Sequence, residues 1–131
     1  MLILDDDRDM GALMQVLLKQ SNVDVTRALT LKDGISNWAK EKPPIILLDN
    51  NFPDGQGVEM IEMNQHLLEN CKVIMATADT QPGTRKRALH AGIHYFVEKP
   101  FHLEVLRELI NEILSKVNLV IAAIPSPNPE I

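Results

Sequence analysis

The feature that most constrains the fold of this chain is a regular alternation of two hydrophobic periods. Short branched runs are "LIL" (2–4), "VDVTRA" (23–28), "IILL" (45–48), "KVIMAT" (72–77) and "HYFVE" (94–98). Between them lie longer stretches in which apolar residues recur at three- and four-residue spacing. They are 8–20, with Met10, Leu13, Met14, Leu17 and Leu18; 31–41, with Leu31, Ile35, Trp38 and Ala39; and 57–69, with Val58, Ile61, Leu67 and Leu68. A basic stretch, 82–91, and a strongly periodic one, 103–117, complete the series; the second carries Leu103, Leu106, Ile110, Ile113, Leu114 and Val117. The first set reads as strands and the second as helices. Punctuation agrees: Pro43 and Pro44 end the second helix, Pro82 opens the fourth, and Gly92 lies beyond its end. Five such units in series predict an α/β fold, a doubly wound five-stranded parallel sheet with helices on both faces and right-handed crossovers. The 131 residues are one-domain length, and the 45% apolar fraction suffices for a core.

In a parallel sheet every strand ends on the same edge, where open α/β folds bind their ligands. Strand 1 runs into Asp5, Asp6 and Asp7. Strand 3, apolar throughout and therefore buried on both faces, runs into Asp49, with Asn51 close behind. Strand 4 ends in Thr77 and Ala78, and strand 5 leads to Lys99 and Pro100. An ionised carboxylate is costly to bury alone, and carboxylates packed together repel. A hard divalent cation such as Mg²⁺ relieves both problems with oxygen ligands alone. A metal, an ammonium and a hydroxyl around one carboxylate suit phosphoryl transfer, in which the carboxylate itself serves as acceptor and becomes an aspartyl phosphate.

Each part also has an ordinary structural role. "DDDRD" supplies helix caps and dipole-compatible acids. Pro53, Asp54 and Gly55 form a common turn signal, and a strand-terminal Thr77 is usually structural. Trp38 and the methionines read as core. His66, His90, His94 and His102 lack metal-ligand spacing, and Cys71 reads as packing. The functional reading rests on conjunction, since four strand ends supply matching parts in order.

Other classes are disfavoured. A formal net charge of -5 does not suit a nucleic-acid binder. One cysteine allows no intrachain disulfide. No apolar run approaches the roughly 20 residues a membrane helix needs, and "MLILDDD" reaches three acids too soon for a secretory signal. The expectation is a cytoplasmic protein that binds neither membrane nor nucleic acid.

The motifs "LILDDD", "IILLDNNFPDGQG", "VIMATAD" and "FVEKPF", in this order, resemble the receiver domain of bacterial two-component response regulators over about residues 1–117. The resemblance implies a flavodoxin-like fold with strand order 2-1-3-4-5. It also implies Asp49 as phosphoacceptor, Asp6 as direct Mg²⁺ ligand, Asp5 as a ligand through water, and Asn51 as a ligand through its carbonyl. Thr77 corresponds to the hydroxyl that moves onto the phosphoryl group, Ala78 to its small neighbour and Lys99 to the phosphoryl-pairing lysine, ahead of a cis Lys99–Pro100 bond. Phe96, not Tyr95, falls on the aromatic switch position, and Asp7 has no ligand role. Asn51 and Asp79 flank the path of the hydrolytic water and would modulate phosphoryl lifetime. The implied partner is a sensor histidine kinase or phosphotransfer protein, and the implied activity is limited to the chain's own phosphorylation and dephosphorylation. The first strand is shorter than the family's usual one.

Three other functions fit the sequence less well. Aspartyl-phosphate phosphatases use Asp-x-Asp, and Asn50-Asn51 lacks the second acid. A non-phosphorylated interaction module would not need Asp6, Asp49, Thr77 and Lys99 together. A flavin binder would show a Ser/Thr/Gly-rich loop after strand 1. Residues 118–131 form an extension or linker without a receiver counterpart. Val120, Ile121 and Ile124 continue the helical spacing up to Pro125, which would make a helix of about 33 Å over 103–124. Its apolar stripe suits a homodimer through the 94–124 region or a linker toward an output domain. A short strand over "NLVIAAI" is the alternative state.

Overall fold

In the computed structural model, residues 1–79 and 81–123 are described, without the side chains of 117–123. The elements in chain order are β1 (Leu2–Leu4), α1 (Arg8–Lys19), β2 (Thr26–Ala28), α2 (Leu31–Glu41), β3 (Ile45–Leu48), β4 (Asn51–Phe52), β5 (Gly55–Gln56), α3 (Gly57–Met63), β6 (Lys72–Thr77), α4 (Pro82–Ala91), β7 (Tyr95–Glu98) and α5 (Leu103–Ala123), with a 3₁₀ turn at Gln65–Leu68. The main sheet is parallel with order β2-β1-β3-β6-β7. Apart from the small β4–β5 hairpin, that is the expected 2-1-3-4-5.

Successive side chains of a strand face opposite sides of the sheet, and this alternation builds two cores. Leu2, Leu4, Ile46, Leu48, Val73 and Met75 pack with Trp38, Val58, Ile61 and Ala88, so α2, α3 and α4 cover one face. Ile3, Ile45, Leu47, Ile74 and Ala76 pack with Met14, Leu18, Leu106, Ile110 and Ile113, so α1 and α5 cover the other. The register sets Leu4 against Leu48 and Leu48 against Met75, which brings the ends of β1, β3 and β6 onto one edge.

Three expectations need correction. The second strand spans 26–28 rather than 23–28, because β1 offers only Leu2, Ile3 and Leu4 as partners. The helix expected over 57–69 stops at Met63: Asn64 Nδ2 and Gln65 Nε2 donate to the carbonyls of Met60 and Ile61 at 2.8 and 3.0 Å and compete with its continuation. Ala39 is exposed rather than on the core side of α2. At the C-terminus α5 runs unbroken past Val117 to Ala123, so the "NLVIAAI" stretch is helical through that residue. Ile124, the stop at Pro125 and the side chains of the proposed stripe lie outside the described residues.

Candidate functional site

The site forms because β1 and β3 are neighbours in register. The Asp49 N–H donates to the Leu4 carbonyl at 2.9 Å, and the Asp5 N–H to the Ala28 carbonyl at 3.2 Å. Each aspartate is therefore held by sheet bonding at its own backbone. Asp5 and Asp49 are buried, at 5% and 9% exposure, whereas Asp6 is exposed. A carboxylate oxygen from each of Asp5, Asp6 and Asp49 lies within 4.8 Å of the others.

Lys99 reaches this cluster from the end of β7. Its Nζ donates to Asp5 Oδ2 at 2.7 Å and to Asp49 Oδ2 at 3.2 Å. The remaining oxygens take backbone donors: Asp7 N–H to Asp5 Oδ1 at 2.9 Å, and Asn50 N–H to Asp49 Oδ1 at 2.7 Å. Burial pushes the Asp49 carboxyl above the ordinary carboxylate range; Lys99 pulls it back, the Asp5 charge raises it further, and the net direction is upward. Burial likewise works against the charge on Lys99, but its hydrogen bond to Asp5 and the fields of Asp49 and Asp5 prevail and raise it. Three carboxylates against one ammonium leave two negative charges in a partly buried space. An all-oxygen donor set with that excess fits a hard divalent cation, so the residues present suit Mg²⁺. Asn51, proposed as a further ligand, is exposed and opens β4 two residues beyond Asp49.

The β6 and β7 ends supply the other candidates. Thr77 is buried, and its Oγ1 accepts the Asp79 N–H at 3.2 Å. Ala78 is exposed. Phe96 is half-buried beneath the Arg85 guanidinium, whose carbon lies 4.8 Å from the ring centroid. Thr77, Asp79, Thr84, Arg85 and Phe96 line a cavity of about 370 Å³. The Asp79 carboxylate accepts the Gln81 N–H at 3.0 Å and the Thr84 hydroxyl at 2.8 Å. It is thus engaged at the entry to α4. Asp7 caps α1 by accepting the Met10 N–H. The Lys99–Pro100 bond is cis.

Three residues after Asp49 have roles that the sequence pattern does not announce: Asn50, Gly57 and Asp54. Asn50 is buried at 2% exposure; its Oδ1 accepts the Val58 N–H at 3.0 Å and its carbonyl the Gly57 N–H at 2.8 Å. It caps α3, which has no cap of its own at Gln56. A Cβ on Gly57 would stand 2.4 Å from the Asp49 carbonyl oxygen, so only glycine lets α3 begin this close to Asp49. Asp54, read as a turn residue, accepts the N–H groups of Leu31 and Lys32 at the start of α2. Asparagine after a buried strand is a recognisable cap signal for Asn50; nothing local signals a bond 23 residues away for Asp54.

The model of the response regulator receiver domain matches residues 1–111. The response regulator protein PilR of Pseudomonas aeruginosa is 33% identical over 109 residues, covering 83% of this chain and 24% of that protein. The KDP operon transcriptional regulatory protein KdpE of Escherichia coli is 28% identical over 124 residues, covering 95% of this chain and 55% of that protein. The chain thus spans between a quarter and about half the length of these relatives. A solved CheY-like response regulator receiver domain protein from Methanospirillum hungatei superposes with a TM-score of 0.84 at 28% identity, covering 89% of this chain and 94% of that one.

Proposed function

The chain belongs to the response regulator receiver domain family, and from that premise we propose that it is a phosphoacceptor switch of a two-component phosphorelay, with Asp49 as the acceptor. The observation that carries this reading is the meeting of Asp5, Asp6 and Asp49 oxygens within 4.8 Å beside the Lys99 ammonium. A sensor histidine kinase or phosphotransfer protein presents a phosphohistidine. A carboxylate oxygen of Asp49 attacks the phosphorus; the new O–P bond forms as the N–P bond breaks, and the bonding pair leaves on the imidazole nitrogen, which takes up a proton. Asp6, Asp49, the Asn51 carbonyl and, through water, Asp5 would hold Mg²⁺, and the bound ion would neutralise charge on the phosphoryl oxygens. Lys99 adds a second positive charge. The strand ends hold the acceptor in one orientation, so little ordering remains to be done when the donor arrives.

The phosphoryl group adds charge and strong acceptor oxygens. Thr77 turns its hydroxyl toward them, and Phe96 follows into the cavity between them. Such a shift requires contacts that favour one state over the other. In this reading Asn51 and Asp79 flank the path of the attacking water and set the rate at which it removes the phosphoryl group. Residues 1–117 form the receiver unit and 118–131 an extension that serves as linker or, with the rest of 94–124, as a homodimer contact. No described helix is long and apolar enough to cross a membrane, which accords with a cytoplasmic location.

Intact-mass measurement after incubation with Mg²⁺ and acetyl phosphate tests the assignment. Wild-type protein is expected to gain one phosphoryl group and Asp49→Asn none. A fully labelled Asp49→Asn protein overturns it.

A further inference from the structure

The hairpin that carries Asn51 is too small to hold itself. It pairs only Asn51 with Gln56 and Phe52 with Gly55, and a lone two-stranded hairpin is marginal in water. Its base is fixed to α3 by Asn50 through Gly57 and Val58. Its tip is fixed elsewhere. Asp54 Oδ1 accepts the Leu31 N–H at 3.0 Å, and Oδ2 accepts the Lys32 N–H at 3.1 Å. These are the first two N–H groups of α2, which have no partner within their own helix. The third, on Asp33, is taken by the local cap Thr30 at 3.2 Å. Gly55, at φ +142°, lies against Leu31, where a Cβ would stand 3.2 Å from the Leu31 methyl. The Leu31 N–H, and after it that of Lys32, holds the Asp54 carboxyl below its ordinary range. The fork of two charge-assisted bonds therefore ties the loop after Asp49 to a helix that contributes no residue to the site.

We propose that Asp54 is a positioning residue for the metal site, holding the hairpin so that the Asn51 carbonyl faces the Asp5, Asp6 and Asp49 cluster. The inference rests on the reading that Asn51 and Asp49 share a metal. A role confined to capping α2 would touch stability alone. A positioning role reaches the metal as well, and Thr30 separates the two, because it caps the same helix from within.

Calorimetric titration of the full chain with Mg²⁺ decides between them, with thermal melting in parallel. Asp54→Ala is expected to weaken Mg²⁺ binding about tenfold, as loss of a residue supporting a metal ligand commonly does. Asp54→Ala and Thr30→Ala are both expected to lower Tm, since each removes a cap of α2, but Thr30→Ala is expected to leave Mg²⁺ affinity within about twofold of wild type. Asp54→Asn keeps one acceptor oxygen and falls between, and it carries the test should the alanine variant fail to fold. Wild-type affinity in both Asp54 variants, or equal losses in the Asp54 and Thr30 variants, overturns the inference alone. A wild-type chain that takes up no Mg²⁺ overturns the metal reading, and this inference with it.

Discussion

The two halves of the site are held in opposite ways. At the ends of β1 and β3, Asp5 and Asp49 are bonded through their backbones to neighbouring strands, and every carboxylate oxygen has a donor. At the ends of β6 and β7, Thr77 accepts a single N–H, Phe96 is half-buried, and a cavity of about 370 Å³ lies between them. The first half packs like charges together and is geometrically fixed; the second has room to move. The contrast suits a device in which charge enters at a rigid place and shape changes at a loose one. A packed core changes shape only where space has been left for another arrangement.

The largest expected effect is on the rigid half. Lys99→Ala leaves Asp5 and Asp49 facing each other without a cation, and removing one partner from a largely buried pair is costly. In metal-free buffer the variant is expected to lose about 2–4 kcal/mol in urea denaturation, with Mg²⁺ restoring part of it. An unchanged midpoint would mean that the carboxylates are already relieved by water, and the contrast between the halves would fail.

A smaller effect, of opposite sign, is expected from Asp49. The folded state holds the Asp49 proton above the ordinary value of 3.8. A raised carboxylate contributes stability below its unfolded pKa and loses that contribution as pH rises through the folded value. At neutral pH the ionised group is therefore a cost. Asp49→Asn is expected to melt a few degrees above wild type at pH 7 without Mg²⁺, with the gap narrowing as pH falls toward the ordinary carboxylate range. A gap that widens on acidification would reverse the sign assigned to burial.

The smallest effect belongs to the loose half. Arg85 over the Phe96 ring offers the outward ring an anchor that phenylalanine, without a hydroxyl, lacks. Arg85→Ala is expected to cost about 0.5–1 kcal/mol and to leave Mg²⁺ affinity untouched, while NMR signals of Phe96 shift and broaden. A change in Mg²⁺ affinity would show the two halves to be one unit.

Much of this was legible in sequence because it depends on local pattern. The period change from strand to helix predicts α1, α2 and α4 to within a residue, and β1, β3 and β6 with their bounds. Four strand ends in order place Asp5, Asp49, Thr77 and Lys99 on one edge of the parallel sheet, where Lys99 meets Asp5 and Asp49. Strand length was less legible at β2, where the short partner β1 limits pairing whatever the β-propensity of Val23 and Val25. The end of α3 was equally hidden, because it depends on side-chain amides folding back onto carbonyls.

The sequence by itself thus determined the architecture and the residue types at the sheet edge, because hydrophobic period and strand-terminal residue type are properties of neighbouring positions. Only the tertiary structure decided how that edge is supported. Asn50 caps α3, Asp54 ties the hairpin to α2, Asp79 is taken by Gln81 and Thr84, and Arg85 covers Phe96. A turn aspartate and a capping aspartate look alike in a string of letters. Which one Asp54 becomes depends on where the sheet twist and the α2 packing bring a pair of unpartnered N–H groups, 23 residues away along the chain for Leu31.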